Sequence, residues 1–74
     1  MSKFEMATLA ANLRGERAKA RMSQEQVARA IHSSQGAVQK WESGECVPGV
    51  DSVFALAELY GVGPSELCGW QPAA

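Results

Sequence analysis

The sequence predicts an all-α fold, a compact bundle of five short helices. Three observations predict it. Apolar residues recur at three- and four-residue spacing along most of the chain. No stretch shows the strict apolar–polar alternation of a half-buried strand. Helix-start residues (Ser23, Ser34, Pro64) and helix-stop residues (Gly44, Gly61) punctuate the pattern at helical intervals.

The first helix is expected over about residues 3–21, after a frayed Met1–Ser2. Met6, Leu9 with Ala10, Leu13 and Arg17 form its stripe, and alanine is frequent, which favours helix. Gly15 is a mild cost, and Met22 follows the helix into the core. Ser23 then caps a second helix, and Gln26 three residues on completes an S-x-x-Q capping box. Val27, Ala28 and Ile31 share one face of that helix. His32-Ser33-Ser34 breaks the pattern, and Ser34 caps a third helix over 35–42 that stops at Ser43-Gly44. At about 100° per residue, Ala37, Val38 and Trp41 share its inner face. Gln35, Gly36, Gln39 and Lys40 share the opposite one. Such a face is ordinary for solubility, and it is also what a helix needs to hydrogen-bond base edges in a DNA major groove.

Glu45-Cys46-Val47-Pro48-Gly49 reads as a loop. A fourth helix is expected over about 50–60, with Asp51 near its N-terminus, where a negative charge is favoured. Val53, Leu56, Ala57 and Tyr60 form its apolar stripe, and Gly61 ends it. Pro64 opens a last short helix over about 64–68. Gly69, Trp70 and Pro72 follow.

The 74 residues allow one domain with a small core. Hydrophobic residues make up 46% and charged residues 20%, the balance of a globular chain rather than a disordered one. No apolar run approaches the roughly 20 residues that span a membrane, and Lys3 and Glu5 interrupt any signal-like N-terminus. A cytoplasmic location with reduced cysteines is therefore expected. Cys46 and Cys68 lack a CxxC spacing, and His32 completes no metal set with them. No nucleophile–base constellation and no phosphate-binding glycine loop is present, so the expectation is a non-enzyme with no metal, cofactor or small-molecule ligand. The net charge of −1 hides an asymmetry. All seven Lys and Arg lie at or before Lys40, against three acids, giving +4; residues 41–74 carry five acids and no base, giving −5. A polyanion meeting the first part would leave the acidic part facing away.

The stretch Ser23–Gly44 resembles the helix-turn-helix of the lambda-repressor/Cro-like (XRE-type) family of DNA-binding domains. The matching marks are Ser23-Gln24, Val27-Ala28 and Ile31, then Ser34, Val38, Trp41-Glu42 and Gly44, with Pro48 after. The likeness continues through Leu56-Ala57 and Gly61-Val62, so it covers the chain from Leu13 to Leu67. It implies a lambda-repressor-like bundle with its helix-turn-helix at about 23–43. It also implies a sequence-specific regulator of transcription that binds a double-stranded DNA operator, a repressor acting as a homodimer. A protein–protein interaction module on the same fold, antitoxin-like or an adaptor, is the alternative.

The resemblance assigns roles residue by residue. Gln35, Gly36, Gln39 and Lys40 take base readout in the major groove. Glutamine pairs bidentately with adenine, and lysine reaches guanine O6 and N7. Gln24 matches a phosphate-contacting position, with Ser34 and Ser43 candidates of the same type. Arg17 and Glu42 match positions that form a buried ion pair in the family. His32 stands where the family usually has glycine, at a turn that commonly needs positive φ. The loop beginning at Glu45 is often basic in the family and has no positive charge here. With no separate dimerisation domain, self-association would use Val62, Pro64, Leu67 and Trp70, the last as the foremost exposed anchor.

Overall fold

The computed structural model describes residues 2–3, 6–69 and 71–72. In chain order the elements are β1 (Ser2–Lys3), α1 (Met6–Ala20), α2 (Gln24–Ala30), α3 (Gln35–Ser43), α4 (Val50–Tyr60), α5 (Pro64–Cys68) and β2 (Gln71–Pro72). The five helices make an all-helical core. The two-residue strands pair antiparallel, Ser2 with Pro72 and Lys3 with Gln71, and so draw the two ends of the chain together.

The helix boundaries follow from local chemistry. Ser23 Oγ accepts from the Gln26 N–H at 3.0 Å, and Gln26 Oε1 accepts from the Ser23 N–H at 2.8 Å, so the capping box is complete. Ser34 Oγ accepts from the Ala37 N–H at 3.2 Å and starts α3. Gly44 ends α3 at φ +82°, a conformation that only glycine adopts without strain. α1 begins at Met6 rather than near Lys3: the helix-favouring residues before it lose Ser2–Lys3 to the terminal pairing. α1 also ends through a residue that gave no glycine signal. Arg21 takes φ +56° and turns the chain toward Met22, whose N–H bonds the Arg17 carbonyl.

The core is small, and each member matters. Leu9, Leu13, Val27, Val38, Leu56 and Leu67 are each under 2% exposed, with Ala28, Trp41 and Ala57 completing the cluster. Burial of one such aliphatic side chain contributes roughly 1.5–3 kcal/mol, a large fraction of what a domain of this size can have in net stability. α3 packs on both α1 and α2, and α5 packs on α1 and α4. The Asn12 side-chain amide donates to the Leu67 carbonyl at 2.9 Å and ties α1 to α5. Leu67 is therefore core, which corrects its assignment as a surface available to a second copy. Val62 also packs against the core cluster. A helix as short as α5 shows too few turns for its inner face to be read from spacing.

Candidate nucleic-acid interface

α3 is held from behind and left open in front. Val38 and Trp41 fix its inner side in the core. Gln35, Gly36, Gln39 and Lys40 are all exposed on the other side. Beyond Gly36 the surface is bare, with nothing within 4 Å of the place a Cβ would occupy.

One buried polar side chain anchors the arrangement. Glu42 is 3% exposed, the sole charged residue in the core among the described residues. Its carboxylate accepts from Arg17 Nε at 2.8 Å and from Arg17 Nη2 at 3.1 Å. This two-pronged pairing is the geometry a planar guanidinium gives and a lysine does not. Arg17 also donates to the Met22 carbonyl at 3.0 Å, so it fastens the α1–α2 turn to α3. The hydrogen bond to Glu42 holds the Arg17 pKa above its ordinary value, outweighing the opposing effect of burial. Arg14 reaches the same residue by a hydrogen bond to the Glu42 backbone carbonyl.

Gln24 carries this network toward the surface. Its Nε2 donates to Glu42 Oε1 at 3.2 Å. A carboxylate only accepts, so the amide nitrogen must face Glu42 and the amide oxygen must face outward. Gln24 Oε1 then accepts from Gln35 Nε2 at 3.5 Å, a long bond at the edge of the normal range. A chain of polar contacts thus runs Arg17, Glu42, Gln24, Gln35, from the interior to the N-terminal turn of α3. It ends at the exposed Gln35 side chain. One hydrogen of its amide points at Gln24, leaving the other hydrogen and the carbonyl oxygen free.

The remaining candidates fall into different places. Ser34 accepts from the backbone of α3, and its own hydroxyl hydrogen is uncommitted in the described contacts. The Ser43 hydroxyl donates to the Lys40 carbonyl at 3.1 Å and accepts from the Glu45 N–H at 3.3 Å, so it closes the end of α3. Arg14, Arg17, Gln24, Gln39, Glu42 and Ser43 line one open basin of about 300 Å³ beside α3. His32 turns the chain between α2 and α3 at φ +58°. Glu45, Cys46 and Val47 are exposed in the α3–α4 loop, with no cation among them. Of the apolar residues expected to meet a second copy, Val62 and Leu67 are used by the core, and Pro64 lines an apolar groove beside α4. Trp70 lies outside the described residues. Sequence reasoning missed Arg14 as a partner of α3 and missed Phe54, which is exposed on α4.

No group of three or more metal-ligating side chains gathers among the described residues. No helix among them is long and apolar enough to cross a membrane.

A family profile described as a helix-turn-helix domain matches residues 8–67. The solution structure of the SOS-response transcriptional repressor LexA from Eubacterium rectale is similar, with a TM-score of 0.81 and 28% identity, over 85% of this chain and 67% of that one. The restriction-modification controller protein C.AhdI from Aeromonas hydrophila is similar with a TM-score of 0.78 and 24% identity, over 84% and 94% of the two chains. The P22 c2 repressor, in a complex with a synthetic operator, is similar with a TM-score of 0.77 and 24% identity, over 80% and 89%. At that identity the last two likenesses speak for the fold alone. A search of curated protein sequences gave no match.

Proposed function

The chain belongs to the helix-turn-helix domain family in its lambda-repressor-like form, and from that premise we propose that it is a sequence-specific regulator that reads duplex DNA with α3. The single observation that carries the reading is the uncapped outer face of α3: Gln35, Gly36, Gln39 and Lys40 exposed together on a helix whose rear is clamped by the Arg17–Glu42–Gln24 chain. Rigid support beneath a polar readout face is what base recognition needs, because a bidentate contact to adenine tolerates little rotation of the amide. The proposal assigns Gln35, Gln39 and Lys40 to base edges and Gly36 to close approach, with Gln24 and Ser34 at the flanking phosphates. Lys40 at the C-terminal part of the face adds a positive charge toward the duplex.

We further propose that the regulator acts as a repressor, by occupying an operator with two copies on inverted half-sites. The chain measures 38 × 24 × 20 Å, so two copies fit side by side with their reading helices about one DNA turn, roughly 34 Å, apart. Selection of bound duplexes from a random pool at low salt tests both claims. Two inverted half-sites one turn apart are the expected product. Enrichment of nothing, from a chain that circular dichroism shows to be helical, would refute the reading.

One observation favours the second reading, an interaction module on the same fold. The exposed Glu45-Cys46-Val47 loop that follows α3 offers phosphate no cation. Salt separates the two. DNA binding through Lys40 and Arg21 should weaken tenfold or more between 50 and 200 mM salt, roughly as expected when a dimer displaces several counterions. Protein docking through an apolar contact would change far less.

A further inference from the structure

α3 is gripped at its far end by two arginines of α1. Arg14 and Arg17 stand three residues apart, on one side of that helix, and both reach Glu42. They hold different parts of it. Arg17 pairs with the carboxylate, and Arg14 donates to the backbone carbonyl. The carboxylate sits at the end of rotatable bonds, so a pair made there leaves the helix backbone some play. The carbonyl is part of the helix, so a bond made there fixes α3 itself.

That carbonyl belongs to the last turn of α3, where the helix no longer supplies donors. The Gly44, Glu45 and Cys46 N–H groups fold back onto the Lys40 and Trp41 carbonyls. None of the described backbone hydrogen bonds reaches the Glu42 carbonyl. Glu42 is 3% exposed, so water has little access, and an unpaired carbonyl there is costly. Arg14 thus caps α3 from another helix, with its positive charge at the negative end of the helix dipole.

The readout side chains nearest this cap are Gln39 and Lys40. Gln39 lies one turn before Glu42 and lines the same basin as Arg14, whereas Gln35 stands at the opposite end of α3. A shift of the capped turn therefore moves Gln39 and Lys40 most. Binding groups must be held to within roughly 0.5 Å to keep a productive geometry.

Resting on α3 as the reading helix, we propose that Arg14 is a positioning residue for base readout. It sets Gln39 and Lys40 against the duplex through the Glu42 carbonyl, and it adds little to phosphate attraction. Two uses of an exposed arginine predict opposite results here. A phosphate contact serves every sequence alike, and a positioning bond serves the operator alone.

Arg14→Met removes the donor and the charge and keeps an unbranched stem. The full 74-residue chain and the variant are titrated against the operator that wild type selects, point-mutated versions of it and a random duplex. Fluorescence polarisation follows binding. Operator binding should fall at least tenfold and random-duplex binding less than twofold, with the salt dependence of wild type retained. The lost preference should lie at the base pairs that Gln39→Ala relaxes and spare the one that Gln35→Ala relaxes. Equal loss on both duplexes, with a salt slope smaller by about one for each bound copy, would overturn the proposal in favour of a phosphate contact. Unchanged operator binding would overturn it too. Amide exchange without DNA tests the cap by itself. The Gly44, Glu45 and Cys46 N–H groups should exchange at least tenfold faster in Arg14→Met, and unchanged exchange would sink the proposal. A wild type that selects no duplex refutes the reading of α3 and this role with it. A wild type that selects an operator whose preferences Arg14→Met keeps refutes this role alone. Arg14 is exposed, and circular dichroism checks that the variant is folded.

Discussion

Removing the carboxylate of Glu42 is the perturbation with the largest expected effect. In Glu42→Ala, the Arg17 guanidinium loses two hydrogen bonds, and the Gln24 amide loses its acceptor. Breaking one side of a fully buried pair costs about 3–5 kcal/mol. The Glu42 side chain is 4% exposed but that of Arg17 is 26% exposed, so the orphaned cation still reaches water. The cost of Glu42→Ala therefore sits at the low end, about 3 kcal/mol. Arg17→Met leaves the more deeply buried member alone, so it should cost more at neutral pH. For a domain of this size each kcal/mol moves the Tm by roughly 4–8 °C, which places Glu42→Ala about 12–24 °C below wild type. Thermal unfolding followed by circular dichroism gives the single costs, and the double variant closes the cycle. A coupling of at least about 1 kcal/mol is expected for residues in direct contact. A Tm for Glu42→Ala within about 2 °C of wild type would refute the claim that this pair holds α3 to α1. Additive single costs would refute the pairing itself.

Three other outcomes follow from single positions. Gln35→Ala should cost roughly 1–3 kcal/mol in binding to the selected operator and relax preference at one base pair, as read by competition with point-mutated duplexes; an equal loss on random DNA would contradict its role. His32→Gly should raise the Tm by a few degrees, because φ +58° strains a side chain and suits glycine; a lower Tm would show that the imidazole makes a compensating contact. Burial, reinforced by the nearby charge of Glu42, pushes the Tyr60 phenol up to about 12. The folded chain then keeps a proton that the unfolded chain releases near 10, so stability is complete below pH 10 and falls as pH rises through 12. Tyr60 is only half-buried, so the loss should be about 1 kcal/mol. Urea midpoints at pH 9 and 12 should show it in wild type and not in Tyr60→Phe.

The parts legible in the sequence are those fixed by a few neighbouring residues. The Ser23–Gln26 box, the Ser34 cap and the Gly44 and Gly61 stops are local chemistry, and each helix boundary they govern was readable to within a residue. α3's exposed face was readable because Val38 and Trp41 define its inner side. Tertiary competition hid the rest. Residues 3–5 favour helix locally, yet Ser2–Lys3 pairs with Gln71–Pro72, and no local signal reports a partner nearly seventy residues away. Arg21 bends the chain at positive φ with no glycine to announce it. Leu67 read as a surface candidate because α5 is too short for its inner side to show. Phe54 was left out of the expected stripe of α4, and the structure leaves it exposed at the edge of that stripe, 57% accessible. Arg17 and Glu42 were linked in the sequence by resemblance alone, since nothing in a spacing of 25 residues identifies an ion pair.

The distribution of charge on the structure sets how such a chain can discriminate. Of its cations, Arg17 is committed to Glu42, while Lys19 and Arg29 lie in exposed pairs with Glu16 and Glu25. Arg14 is fastened to the end of α3. That leaves Arg21 and Lys40 as the cations among the described side chains with no such partner, and the loop after α3 adds none. Phosphate attraction is the sequence-independent part of binding, so a chain poor in free cations holds random DNA weakly. Base contacts carry the discrimination, and under the proposed reading they come from Gln35 and Gln39, of which Gln35 is joined to the buried Glu42 carboxylate through Gln24. If Gln35 reads a base as proposed, loss of Glu42 should cost operator preference even at temperatures where the helices remain intact.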